Sequence, residues 1–212
     1  MRDLVILGTG GVGRALRQFV EDCNAVQPRW RFRGFVDDAE PIPGIEPVLP
    51  MLGPVERLGE LGGTDVLVGI GWPAPRKSVV ERLRRFARLA FPALVHPRAY
   101  IPVSVPVGEG TIVYPGACIE TDAKLGAFVL INHNATIGHD TVLEDFTTIS
   151  PGCSIGGNVA IQTGAFIGIG ACTVQRIRIG ADAIVGAGAA VSADVTAGST
   201  VVGVPARPRH GR

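Results

Sequence analysis

The residues best suited to move a proton are a histidine and its acidic neighbour. His139 lies in Ile137-Gly-His-Asp140, and His133 stands six residues earlier. A neutral imidazole, with an ordinary pKa of about 6.5, accepts a proton near neutral pH. A carboxylate on its other ring nitrogen, as Asp140 can supply, fixes the tautomer and raises the basicity. A general base of this kind contributes roughly 10²–10⁴-fold to a rate. A second constellation lies near the start. Gly8-Thr-Gly10-Gly11-Val-Gly13 is followed some 24 residues later by Asp37-Asp38. Glycines before a helix let a phosphate approach the backbone and the positive helix end. Acidic residues at the next strand end can hold ribose or sugar hydroxyls.

The elements that must position the glycine loop alternate. Residues 3–8 read as a strand, and Leu16, Phe19 and Val20 continue a helical spacing after the loop. Residues 32–36 and 66–70 read as strands, the latter running into Gly71-Trp72-Pro73, and residues 41–54 read as a loop. Val79, Val80, Leu83, Phe86 and Leu89 predict a second helix, and residues 91–95 a last short strand. This alternation predicts a small, doubly wound, Rossmann-like parallel sheet. With about 95 residues it suits one nucleotide better than a dinucleotide, which uses two such halves. The basic run Arg76, Lys77, Arg82, Arg84, Arg85 and Arg88 is expected to be a solvated helix face.

His139 belongs to a different pattern. Read in sixes from Ile101, the chain gives IPVSVP, VGEGTI, VYPGAC, IETDAK and so on to AGSTVV. The first position is Ile, Leu or Val in 15 of 17 hexads, the exceptions being Thr173 and Ala197. The fifth is small or β-branched. A period of six fits neither a helix nor a strand alternation. It fits a short strand and a corner, three of which close a coil of 18 residues, so residues 101–197 predict a parallel β-helix. Coils stack about 4.8 Å apart, and residues 18 apart share a column. Gly157 therefore stands one coil above His139, where its backbone N–H could meet a developing oxyanion. His133, Pro151, Ile169 and Ala187 form a second column, small and apolar enough to line a groove for a thin acyl carrier. His133 itself reads as a polar rim residue.

Composition narrows the field. A net charge of +1 gives no electrostatic reason for nucleic acid or an anionic membrane as partner. No apolar stretch approaches the roughly 20 residues of a membrane span, and the expected location is cytoplasmic. Cys23, Cys118, Cys153 and Cys172 fit no zinc spacing. Cys118 and Cys172 share a column three coils, about 14 Å, apart, too far for a disulfide. The cysteines are expected to be small buried hydrophobes.

The chain resembles the hexapeptide-repeat acyltransferases that carry an N-terminal nucleotide-binding domain. That group includes sialic acid O-acetyltransferases and N-acetyltransferases of nucleotide-linked amino-sugars. The resemblance is carried by Gly8-Thr-Gly-Gly-Val-Gly13, Phe35-Val-Asp-Asp38, Val66-Leu-Val-Gly-Ile-Gly71, Leu94-Val-His-Pro97, Ile131 to Asp140, Ser150-Pro-Gly152, Gly157-Asn158 and Val202-Gly-Val-Pro-Ala-Arg207. It implies a left-handed β-helix, residues 97–212, behind a nucleotide-sugar-binding domain, residues 1–96. It also implies a homotrimer with sites between subunits, acetyl-CoA as acyl donor and no metal. His139 matches the general base and Asp140 the residue that tunes it. Gly157, Ile169, Ala187 and Thr148 match acyl-donor positions. Gly10, Gly11, Val12, Asp37, Asp38 and Gly71 match positions that hold the nucleotide-sugar. Some relatives carry histidine where this chain has Val12, and some where it has Thr148. The expected reaction is direct acetyl transfer to the amino group of a nucleotide-linked amino-deoxysugar. Alternatives are O-acetylation of a sialic acid or other sugar hydroxyl and a non-catalytic nucleotide-sugar scaffold. A carbonic-anhydrase-type metalloenzyme would need three imidazoles on one ion, and a nicotinamide oxidoreductase would need a second catalytic domain.

Overall fold

A computed structural model describes residues 1–39 and 50–209. The chain divides into two compact units, one of Met1–Gly71 with Pro75–Pro92 and one of Trp72–Ala74 with Ala93–Arg212.

The first unit is a four-stranded parallel sheet in the order β3-β2-β1-β4, with β1 at Arg2–Leu7, β2 at Trp30–Val36, β3 at Met51–Gly53 and β4 at Asp65–Val68. Leu4, Val5, Ile6, Val66 and Leu67 are all at most 1% exposed, as expected for strands covered on both faces. Helix α1, Gly11–Val26, buries Leu16, Phe19 and Val20. Strand order reverses between β1 and β4. Ligands of open α/β sheets bind at such a reversal, beyond the strand ends, and both glycine loops of this unit lie there.

Three expectations for this unit need correction. Residues 51–53 form the edge strand β3, where a loop is expected over 41–54, of which residues 41–49 lie outside the described part. Pro50 lacks an N–H but still supplies a carbonyl, which accepts from Phe35 N at 2.9 Å. Helix α2, Pro73–Leu83, stops short of Phe86 and Leu89, and Arg88 beyond it takes a left-handed φ of 79°. Arg76 is not on a solvated face. It is 2% exposed and donates to the carbonyls of Ile70 and Gly71, both at 2.8 Å.

The second unit is the parallel β-helix. Two-residue strands stack into three sheets, with partners such as Thr136↔Ser154, Val142↔Ala160 and Thr148↔Phe166 each 18 residues apart. First-position residues such as Ile131, Ile137, Leu143, Ile149 and Ile161 are fully buried and fill the prism with the small fifth-position residues. Buried hydroxyls there are satisfied: Thr111 Oγ1 donates to Gly126 O at 2.7 Å and Thr141 Oγ1 to Gly156 O at 3.0 Å. Trp72 stacks on Phe166, with ring centroids 4.2 Å apart.

The repeat departs from the expected phase at both ends. The ladder begins earlier, because Leu94–Val95 pairs with Ile112–Val113; these residues therefore join the β-helix instead of closing the first sheet. Near the other end Val185 pairs with Val201, only 16 residues on, and Ile179 bridges Val195. The last full coil is two residues short, so Val195 and Val201 take first-position places in the ladder and Ala197, which the hexad phase puts there, is exposed. The cysteines also divide: Cys153 is buried, Cys23 and Cys118 are intermediate and Cys172 is exposed.

One corner rule was not read from the sequence. At every sixth residue from Gly110 to Gly188 the backbone has a positive φ. These fourth positions are mostly Gly, Asn and Asp, the residues that tolerate the left-handed region. Asp140, at φ 59°, is one of them.

Candidate active site

The left-handed corner turns Asp140 back onto its neighbour. Successive residues of an extended strand point to opposite faces, but here His139 Nδ1 lies 2.7 Å from Asp140 Oδ2. The Asp140 hydrogen bond raises the imidazole pKa above its ordinary value. Desolvation opposes this, the charges of Asp140 and Glu120 add to it, and that of Arg176 subtracts. His139 and Asp140 are about half exposed. Glu120, one coil below, accepts the backbone N–H of His139 at 2.9 Å and so fixes the corner that presents the ring. Sequence reasoning missed Glu120, although the hexad register places it there.

Gly157 lies over the other ring nitrogen. A β-carbon built on Gly157 would stand 2.6 Å from His139 Nε2. The coil therefore brings together the free end of the imidazole and a backbone without a side chain. The second column is also formed, with Gly152, Gly170 and Gly188 donating to the carbonyls of His133, Pro151 and Ile169 at 2.8–2.9 Å. Ile169 and Ala187 are exposed on that column. It occupies a different corner of the prism from His139 and Gly157, since its turns follow a different sheet. Thr148 is 2% exposed and lies between Leu130 and Phe166 on the eight-stranded sheet. His133 Nδ1 lies 2.9 Å from Asn132 Oδ1, and its ring meets Tyr114 edge-on. Burial, then the nearby His96, lower its pKa. Among the described residues no three His, Cys, Asp or Glu side chains gather as a metal site would require.

In the first unit the glycine loop is held by its own partners. Gly13 packs helix against strand so closely that a β-carbon would meet Gly8 O at 1.8 Å. β-Carbons on Gly10 and Gly11 would meet nothing within 4 Å. Space therefore lies over the N-terminus of α1, where Gly10 caps the helix without a side chain. Val12 and Gly71 adjoin, since a β-carbon on Gly71 would lie 3.5 Å from Val12 Cγ2. Asp37 Oδ2 accepts both the N–H and the O–H of Thr9 at 2.7 Å, tying the strand end to the loop. Asp38 accepts from Val55 N at 2.9 Å and pairs with Arg82 at 2.8 Å. The Val55 N–H lowers its pKa most among the favourable contacts, with Arg82 adding to the effect. Thr9 and Arg82 were not singled out in the sequence, and the arginine run hid the one member that reaches Asp38.

Residues 3–83 match the family described as PglD N-terminal domain. No match was found among curated protein sequences. The acetyltransferase domain of PglB from Neisseria gonorrhoeae, solved with acetyl coenzyme A, is 31% identical. The match covers 98% of this chain and 99% of that one, with a TM-score of 0.87.

The chain belongs to the hexapeptide-repeat family of nucleotide-amino-sugar acetyltransferases.

This acetyltransferase resembles a variant of perosamine N-acetyltransferase from Caulobacter crescentus, in complex with CoA and GDP-perosamine, over 100% of this chain and 98% of that one. The identity is 28% and the TM-score 0.88. WeeI from Acinetobacter baumannii is 28% identical over 99% of this acetyltransferase and all of that chain, with a TM-score of 0.84. These likenesses give the fold class in full, a Rossmann-like domain and a left-handed β-helix, and make the protein an acyltransferase. No helix among the described residues is long and apolar enough to cross a membrane.

Proposed function

We propose that this acetyltransferase moves an acetyl group from acetyl-CoA to the amino group of a nucleotide-linked amino-deoxysugar. The observation that carries the proposal is the stacking of Gly157 over Nε2 of an imidazole whose Nδ1 is held by Asp140. Support for the substrates comes from the similar enzyme bound to CoA and GDP-perosamine. In this reading His139 Nε2 takes a proton from the amine as nitrogen attacks the thioester carbon. The carbonyl oxygen gains negative charge and accepts from the Gly157 N–H. The C–S bond then breaks, and the thiolate takes up the proton. Asp140 keeps the proton of the neutral ring on Nδ1 and stabilises the imidazolium.

Gly157, Ile169, Ala187 and Thr148 form the acyl-donor contacts in this reading, and Gly10, Gly11, Val12, Asp37, Asp38 and Gly71 the nucleotide-sugar contacts. Asp37 and Asp38 act chiefly by shaping the loop, because their oxygens already hold Thr9, Val55 and Arg82. A homotrimer accounts for two corner columns that one chain keeps apart, since a neighbouring copy can set its Ile169 column against the His139 column. The apolar Ile169, 62% exposed, is then covered.

The test is free-thiol release from acetyl-CoA with a panel of nucleotide-linked amino-sugars and with sialic acid. Turnover with an amino-sugar nucleotide and its loss in His139→Ala are expected. Turnover only with sialic acid would replace the amine acceptor by a hydroxyl. Absence of any turnover or acyl-CoA binding would overturn the proposal.

A further inference from the structure

The third residue of several hexads donates its backbone N–H to a side chain of the coil below. Glu120 accepts from His139 at 2.9 Å, Glu144 from Thr163 at 2.9 Å and Gln162 from Ala181 at 3.2 Å. In each case the acceptor lies 19 residues before the donor. The same offset from Gly157 arrives at Gly138, which has no side chain. Among the described residues nothing accepts the Gly157 N–H. Gly157 is only partly buried. A β-carbon on Gly138 would stand 2.6 Å from Gly157 N, which makes residue 138 the place from which a side chain would cover it.

We infer that Gly138 is a positioning residue for acyl transfer, because its missing side chain leaves the Gly157 N–H free to meet the thioester oxygen. A glutamate or glutamine at residue 138 would cap this donor, as Glu120 caps the N–H of His139 one coil below. Glycine also stands at this hexad position in Gly126, Gly156 and Gly168, but Gly138 is the one beneath Gly157, which faces the imidazole Nε2. The pair of glycines, 19 residues apart, thus does two jobs. Gly157 makes room over the ring, and Gly138 keeps the adjacent backbone donor unoccupied. The inference rests on the acyl-transfer reading above.

The experiment compares Gly138→Gln with Gly138→Ala and with Gly126→Gln. Gly126 holds the same hexad position at another corner, and a β-carbon there would be similarly close, 2.8 Å, to Asp145 N. Backbone crowding is thus similar, with the Asp145 side chain also near, its Oδ1 at 2.6 Å, and only Gly138→Gln brings an acceptor to Gly157. Removing an oxyanion donor lowers kcat by roughly 10²–10³-fold. Such a fall is expected for Gly138→Gln, with acetyl-CoA still bound, a lesser one for Gly138→Ala, whose methyl crowds the Gly157 backbone without accepting its N–H, and little change for Gly126→Gln. Amide hydrogen exchange supplies a readout that a purely structural role would not move. In the unaltered protein the Gly157 amide should exchange faster than those of His139, Thr163 and Ala181, and Gly138→Gln should slow it. Equal loss of kcat in Gly138→Ala and Gly138→Gln would overturn the inference, as would a folded Gly138→Gln of normal kcat. If Gly138→Gln does not fold, a Gly157 amide as protected as those three in the unaltered protein overturns it. Failure of the underlying reading shows separately, as no thiol release by the unaltered protein with any nucleotide-linked amino-sugar, and overturns the inference with it.

Discussion

Gly157 stands directly over the ring of His139, so close that a β-carbon on residue 157 would lie 2.6 Å from Nε2. The obstructing atoms belong to a half-exposed side chain, which can swing aside. Gly157→Ala should therefore fold with stability within about 1 kcal/mol of the parent, as most surface substitutions do. The swing would break the His139–Asp140 hydrogen bond and misplace the base. A small displacement of a catalytic group can cost on the order of 10²-fold, and a fall of that size in kcat is expected. Thermal melting and steady-state kinetics on the same preparation check it. Unchanged kcat would show that the space over Nε2 is not needed.

The Asp140 carboxylate should be visible in the pH profile. A general base works when unprotonated, so activity is present above the His139 pKa and is lost as pH falls through it. Asp140 raises that pKa, and hence sets the acid limb above the ordinary histidine value. In Asp140→Asn the largest raising cause is gone and Arg176 still opposes protonation. The acid limb of kcat/KM should move to lower pH. At the same time the plateau should drop, because the weaker base has lost the partner that stabilises its imidazolium. A limb that stays in place would assign it to another group, such as the acceptor amine.

The hexad arithmetic makes the column of His139 and Gly157 legible in the sequence, because a strict 18-residue coil leaves no freedom in what stacks on what. It does not make the His139–Asp140 contact legible. Two adjacent residues face apart on a strand, and only the left-handed fourth position reverses that. The signal was present in Asp122, Asn134, Asp140, Gly152 and Asn158, which share six-residue spacing and a tolerance for positive φ. The missing pair of residues before Val195 was hidden because Val, Ala and Thr there satisfy either phase. In the first unit, the arginine run read as one solvated face. Burial of Arg76 against two carbonyls depends on where β4 ends, which periodicity does not specify.

The prism should be sensitive to single deletions of volume. Ile149 is fully buried at a first position and pairs with Ile131 and Ile167 in the coils on either side. A two-residue strand has little freedom to collapse into a void, because its backbone is bonded above and below. Ile149→Ala should cost about 2–5 kcal/mol, measured by reversible denaturation. A cost below about 1 kcal/mol would mean that the coil relaxes far more than typical cores do.

The glycines of the first unit separate packing from binding. Gly13 cannot carry a β-carbon without meeting Gly8 O at 1.8 Å, so Gly13→Ala must push α1 off β1. Its effect should fall on stability, in the range of about 1–3 kcal/mol seen when a packed site is overfilled. Gly10 and Gly11 offer the opposite case, with nothing within 4 Å of an added β-carbon. Gly10 has φ −64° and ψ −178°, which any residue adopts, and Gly11 begins a helix, where alanine is a better former than glycine. Gly10→Ala and Gly11→Ala should therefore keep or raise the melting temperature. The methyl groups would instead occupy the space over the helix N-terminus that a phosphate needs. KM for the nucleotide-sugar should rise several-fold while KM for acetyl-CoA stays put. Normal KM values for both substrates in these two variants would remove the phosphate from this loop and leave its glycines to packing alone.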